Sequence, residues 1–106
     1  MEVVLRPKNL DVLAIVKKSF QEGHYIYSQH AHDRQLEREV SDGDVRHAIL
    51  NRWHEKKKDS WIEEFQSWNY AIRGSSLDGS PLRIAVSIDE VHDLGVIIIT
   101  VITLKK

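Results

Sequence analysis

LRIAVSI, residues Leu82 to Ile88, alternates large apolar side chains with small or polar ones. Successive side chains of a β-strand point to opposite faces, so Leu82, Ile84, Val86 and Ile88 share one face and Arg83, Ala85 and Ser87 the other. The stretch therefore reads as a strand with one buried face. Arg83 points away from that face and is left out of the candidate site. Just before it, DGSP at Asp78 to Pro81 is a turn signal. Earlier still, Trp61 to Phe65 and Trp68 to Gly74 read as strands. Beyond it, Asp93 to Gly95 gives a second turn. VIIITVITL, from Val96 to Leu104, is apolar on both faces and is expected to lie inside the sheet.

The first half of the chain has the helical period instead. Asn9 is placed to cap a helix carrying Leu10, Leu13, Ala14 and Phe20, with Val12, Ile15 and Val16 widening the stripe. Gly23 is placed to end it. His24 to Tyr27 is short, aromatic and β-branched, and is expected to be an edge strand. Ser28 can cap a second helix running to about Glu39. Ser41 and Asp44 form a capping box for a third, with Val45, Ala48, Ile49 and Trp53 on its apolar face. HEKKKDS, from His54 to Ser60, is a charged connection. Helices first and strands afterwards predict an α+β fold: two to three N-terminal helices packed on a C-terminal antiparallel sheet of about four strands.

At 106 residues the chain is expected to form one domain over 1–106. Its 42% hydrophobic and 29% charged residues are ordinary for a water-soluble globule. A formal charge of -1 excludes strong attraction of nucleic acid by the molecule as a whole, so any such role needs a local basic patch. With no Cys, disulfides, thiolate nucleophiles and Cys-based zinc sites are excluded. Met1-Glu2 begins no secretory signal, and the apolar run Val96 to Ile99 is too short to span a bilayer. A soluble cytoplasmic protein is expected.

The chemistry-bearing residues concentrate in SQHAHDRQLERE, Ser28 to Glu39. On a helix with His30 at zero, Arg34 falls near about 40°, Arg38 near about 80° and Glu37 near about −20°. The four form one stripe, while Leu36 and Val40 fall on the far side and are expected to anchor the helix to the core. An imidazole beside guanidinium groups is biased towards its neutral form, which a general base needs. Two Arg one turn apart suit a phosphate, because guanidinium offers a planar fork of donors. The competing reading is a solvated face supported by weak ion pairs. His32 lies on the Leu36 side and is expected to be partly buried. No metal site is expected, because His30 and His32 diverge on a helix and no closed ligand set is visible. Lys56, Lys57 and Lys58 beside Trp53 offer phosphate contacts, with Trp53 itself expected to face the core.

The segment YIYSQHAHDRQLEREVSDGDVRHAIL resembles the start of a bacterial family termed a domain of unknown function (family 4258). The matching positions are Ser28, His30, Ala31, Arg34, Arg38, Val40 and Asp44 to Ile49. Tyr70 to Gly74, Leu82 to Val86 and Ile98 to Val101 are similar to its later strands, so the resemblance covers about 24–104. The family usually has Gly after the second Arg, where this chain has Glu39. It looks like a distant relative of RelE-type toxins and barnase-like ribonucleases. That implies a metal-independent endoribonuclease acting on RNA, the toxin half of a toxin–antitoxin pair, with an antitoxin partner that can be of zinc-finger type. The mechanism implied has His30 as general base on the ribose 2′-hydroxyl, with Glu37 orienting it or itself the base. Arg34 and Arg38 stabilise the phosphate, and Tyr70 and Thr100 hydrogen-bond from the sheet. The alternative from another class is a non-enzymatic protein-interaction module that docks through the charged helix face, with Trp61 and Trp68 as candidate anchors.

Overall fold

The structure, a computed structural model, describes residues 11–50, 53–89 and 95–104. Three helices come first: α1 (Val12–Glu22), α2 (Gln29–Arg38) and α3 (Asp42–Leu50), with β1 (Tyr25–Tyr27) between α1 and α2. Then follow β2 (Trp53–His54), β3 (Ser60–Ile62), β4 (Ser67–Ser75), β5 (Pro81–Asp89) and β6 (Gly95–Thr103), with short 3-10 turns at Lys56–Lys58 and Glu63–Phe65. The fold is α+β, as the change of periodicity requires. The sheet order is β1-β6-β5-β4-β2, and β3 also pairs with β4. Among the described residues the strands number six, against about four expected in the C-terminal sheet, and the sheet is mixed: β1 runs parallel to β6, while the other pairings are antiparallel. β1 is the strand expected at His24 to Tyr27, and β3 overlaps the one expected from Trp61; the strand without a signal is β2, whose two residues are too few to show a period.

The apolar face of the long strands makes the core. Tyr70, Ile72, Leu82, Ile84, Val86, Val96, Ile98 and Val101 are buried there against Val12, Val16 and Phe20 of α1 and Val45, Ala48 and Ile49 of α3. Fully burying one such large apolar side chain is worth about 1.5–3 kcal/mol. The alternation in LRIAVSI thus has the predicted consequence, with Leu82, Ile84 and Val86 inward and Arg83 outward.

Local signals set most helix ends. Gly23 closes α1 at φ 73, in the left-handed region. Asp11 stands at the N-cap of α1; the expected cap Asn9 lies outside the described residues, as do Asp93 and Leu94 of the second predicted turn. Ser41 and Asp44 form the capping box reciprocally, each receiving a backbone N–H from the other at 3.0 Å. The Ser41 backbone N–H first, and then the Leu77 N–H and the Ser41 hydroxyl, hold the Asp44 carboxyl below the usual carboxylate range. Gly95 starts β6 at φ 80, where a Cβ would stand 2.1 Å from the His24 carbonyl oxygen, so no other residue fits the parallel pairing with β1.

Three expectations are corrected. Trp61 to Phe65 is a strand only to Ile62; Glu63–Phe65 coils into a 3-10 turn closed by Gln66 at φ 50. Trp53 does not extend the face of α3, which ends at Leu50. It opens β2 with 54% of its surface exposed. Leu36 does not anchor α2: it is 69% exposed, whereas Ala31 is fully buried and Val40 nearly so.

Candidate functional site

The placement of α2 follows from the shortness of β1. β1 covers only the first part of the β6 edge, pairing Tyr25 to Tyr27 with Val96 to Ile98. At the next residues β6 bulges: Ala85 faces Thr100 and Val86 faces Ile98, so Ile99 is the extra residue. The carbonyls there need other donors. Ser28 supplies two, its backbone N–H to Ile98 at 2.9 Å and its hydroxyl to Ile99 at 3.0 Å. The same hydroxyl oxygen accepts the Ala31 N–H at 3.0 Å and so caps α2. Ten residues on, the Arg38 guanidinium donates to the Val101 carbonyl at 2.5 Å. Ser28 and Arg38 thus pin both ends of α2 to the edge that β1 leaves bare.

This pinning rotates α2 from the expected orientation. Ala31, Gln35 and Arg38 turn towards the protein, and Leu36 turns to water. His30 is exposed at the start of the helix. Arg34 is half-exposed and donates to Glu37 at 2.8 Å, so the structure places Glu37 on Arg34. His32 is exposed, not partly buried, because the side of α2 that carries it faces water. At Glu39, where Gly is usual in the resembled family, the backbone takes the left-handed conformation that Gly adopts freely (φ 54, ψ 40). The left-handed residue ends α2 directly after Arg38 and turns the chain towards α3.

Behind α2, Tyr27 of β1 donates to Asp42 at 2.5 Å, and Tyr25 donates to the same carboxylate at 3.1 Å. Burial first, and then the Asp42 carboxylate, push the Tyr27 phenol well above its ordinary range. The two tyrosines tie β1 to the start of α3 and fix the approach to Ser28.

The other candidates lie elsewhere. Tyr70 is 3% exposed on the core face of β4, edge-on to His54 with ring centroids 5.7 Å apart. It does not share a surface with His30. Thr100 faces Ala85 across β5 and β6, and so lies on the sheet face opposite the core. Lys56, Lys57 and Lys58 are exposed on the 3-10 turn beside β2 and β4, at the opposite edge of the sheet from α2. The buried Asp59 carboxylate holds that turn, accepting from His54 at 2.7 Å and from the Ala71 N–H at 2.8 Å. Trp61 and Trp68 are half-buried against each other, edge-on at 5.6 Å, which limits both as anchors.

Sequence reasoning missed a cluster on the outer sheet face. Trp53 is opposite Arg73, and Arg73 opposite Arg83, so the three form a row across β2, β4 and β5. The Arg73 guanidinium lies 5.2 Å from the centre of the Trp53 ring. Glu55 accepts from Arg83 at 2.9 and 3.3 Å and approaches Arg73 at 3.9 Å. The Arg83 hydrogen bond is the main reason that the Glu55 carboxyl is held below its usual range. The outward alternation of Arg83 was the one signal of this cluster in the sequence.

Among the described residues, no group of three or more His, Asp or Glu is placed to hold a metal ion. Among them also, no helix is long and apolar enough to cross a membrane. The molecule is of the α+β class, with helices on one face of a mixed sheet and a polar helix clamped to the bare edge of β6. Residues 27–103 match the family described as Domain of unknown function (DUF4258), and the chain belongs to that family. No curated protein and no solved structure matches it.

Proposed function

We propose that the protein is a metal-independent endoribonuclease, the toxin half of a toxin–antitoxin pair acting on RNA in the cytoplasm. The observation that carries this reading is the state of His30. Its ring is exposed and, among the described residues, bonds no other protein group, and Arg34 follows one helical turn later. An imidazole so placed can accept the proton of a ribose 2′-hydroxyl. The 2′-oxygen attacks the adjacent phosphorus, and the bond to the 5′-oxygen breaks. The departing oxygen takes a proton from water, and the hydroxide so formed takes the proton held by His30, leaving a 2′,3′-cyclic phosphate and a 5′-hydroxyl.

Arg34 offsets the charge that develops on the phosphate, and Glu37 holds its guanidinium in place. Arg38 gives one N–H to Val101, so its part is first to position α2, with its remaining donors turned to the substrate. Thr100 and the lysines of the 3-10 turn contact RNA outside this centre, and Tyr70 supports the sheet from within. Expression of the chain alone tests the proposal: growth arrest that Arg34→Ala relieves supports it, and harmless expression of soluble protein overturns it.

A second reading has its own observation. Leu36 is exposed beside a shallow groove of about 410 Å³ formed with His32, Gln35 and Val40. An apolar side chain on a polar helix face suits docking of a protein, and an antitoxin, of zinc-finger type or otherwise, is the partner expected. Growth arrest that survives loss of both His30 and Arg34 would favour binding without cleavage.

A further inference from the structure

We infer that the outer face of the sheet, at β2, β4 and β5, is a binding surface for single-stranded RNA. The choice of RNA as occupant rests on the reading above; the surface itself does not. Its centre is the row of Trp53, Arg73 and Arg83, which spans about 10 Å at the ordinary strand spacing. The helices pack on the other face, so this row is separate from His30.

Three features select the occupant. The first is the exposed ring of Trp53, 54% accessible and flanked by a guanidinium. An indole with one face open takes a planar base by stacking, whatever the sequence. The second is the Arg pair. Arg73 is 36% exposed, Arg83 is 22% exposed, and one carboxylate, Glu55, serves both. At 3.9 Å Arg73 is loosely held, so a backbone phosphate can take its fork while Glu55 keeps Arg83. The third is charge. The chain as a whole carries -1, yet Lys57 and Lys58 project on an exposed turn directly after Glu55. Of the carboxylates beside the row, Glu55 is taken by Arg83 and the buried Asp59 is bonded to His54. Ala71 and Ala85, which pair in the next row, keep the floor beside Arg73 and Arg83 low. A polyanion with flat bases fits this combination; an acidic peptide would leave the indole unused.

The test uses the full chain and a fluorescein-labelled, mixed-sequence 2′-O-methyl RNA, which has no free 2′-hydroxyl and cannot be cleaved by the proposed route. Binding is followed by anisotropy over a range of salt. Trp53→Ala is expected to weaken binding about tenfold or more. Lys57→Ala with Lys58→Ala is expected to lower the salt slope by about 1.4. Lys17→Ala with Lys18→Ala, on the exposed side of α1, removes the same charge elsewhere and is expected to leave the slope as it is. All these residues are exposed, so their variants should fold. No binding by the wild type, or equal losses in the α1 and turn variants, would overturn the inference. So would a Trp53→Ala protein that binds as the wild type does while ordinary RNA is still cleaved. Trp53-dependent binding without cleavage of ordinary RNA would sustain the surface and remove the nuclease reading alone.

Discussion

Removing the Ser28 hydroxyl should loosen α2 from the sheet, and its cost can be worked out from two bonds. The hydroxyl oxygen accepts the Ala31 N–H at the helix N-terminus. Replacing such a cap by Ala costs about 1 kcal/mol. The hydroxyl also donates to the Ile99 carbonyl at the bulge, a part-buried position. Losing that bond costs about 1 kcal/mol more. Ser28→Ala should therefore destabilise by about 2 kcal/mol, a fall of about 8–16 °C in Tm for a chain of this size. Ser28→Thr keeps the hydroxyl and should recover most of the loss. Urea unfolding followed by circular dichroism measures both. A Ser28→Ala protein within about 0.5 kcal/mol of wild type would behave like an ordinary surface substitution. The pinning of α2 to the β6 edge would then be wrong.

Three further outcomes are expected. Glu39→Gly should raise stability by about 0.5–1 kcal/mol in thermal unfolding, because Glu39 holds a left-handed backbone that Gly takes without strain; a loss of stability would refute the cap assignment. Gly95→Ala should destabilise by about 1–3 kcal/mol or prevent folding, since the added methyl meets the His24 carbonyl and φ is positive; a wild-type melting curve would contradict the β1–β6 pairing. Glu55 ionises more readily in the folded protein than in the unfolded chain, so its contribution is present above about pH 4.3 and is lost as pH falls from there to its depressed folded value. Glu55→Gln should flatten that acid limb, as read by urea titrations at several pH values, and an unchanged limb would sink the assignment.

The α+β architecture was legible because long elements carry their period openly: Leu82 to Ile88 and Val45 to Ile49 show their buried faces in the sequence. Caps were legible too, since Ser28, Gly23 and the Ser41–Asp44 box act over three or four residues. The rotation of α2 was not. Leu36 looked like the anchor, but the bare carbonyls of β6 demanded donors, and Ser28 and Arg38 supplied them while Ala31 let the helix approach. Long Arg stems can cover apolar surface, so a charged stripe need not face water. The row of Trp53, Arg73 and Arg83 was hidden for another reason. It exists only through the registers of β2 with β4 and β4 with β5, and no local pattern states a register between a two-residue strand and its neighbour.

Cleavage of an end-labelled single-stranded RNA by purified protein in the presence of EDTA tests the central claim most directly. The account predicts fragments ending in 2′,3′-cyclic phosphate from the wild type. It also predicts a rate lower by about 10²–10⁴-fold for His30→Ala, the range for loss of a general base. Cleavage by His30→Ala at the wild-type rate, or no cleavage by a folded wild type that arrests growth, would contradict it.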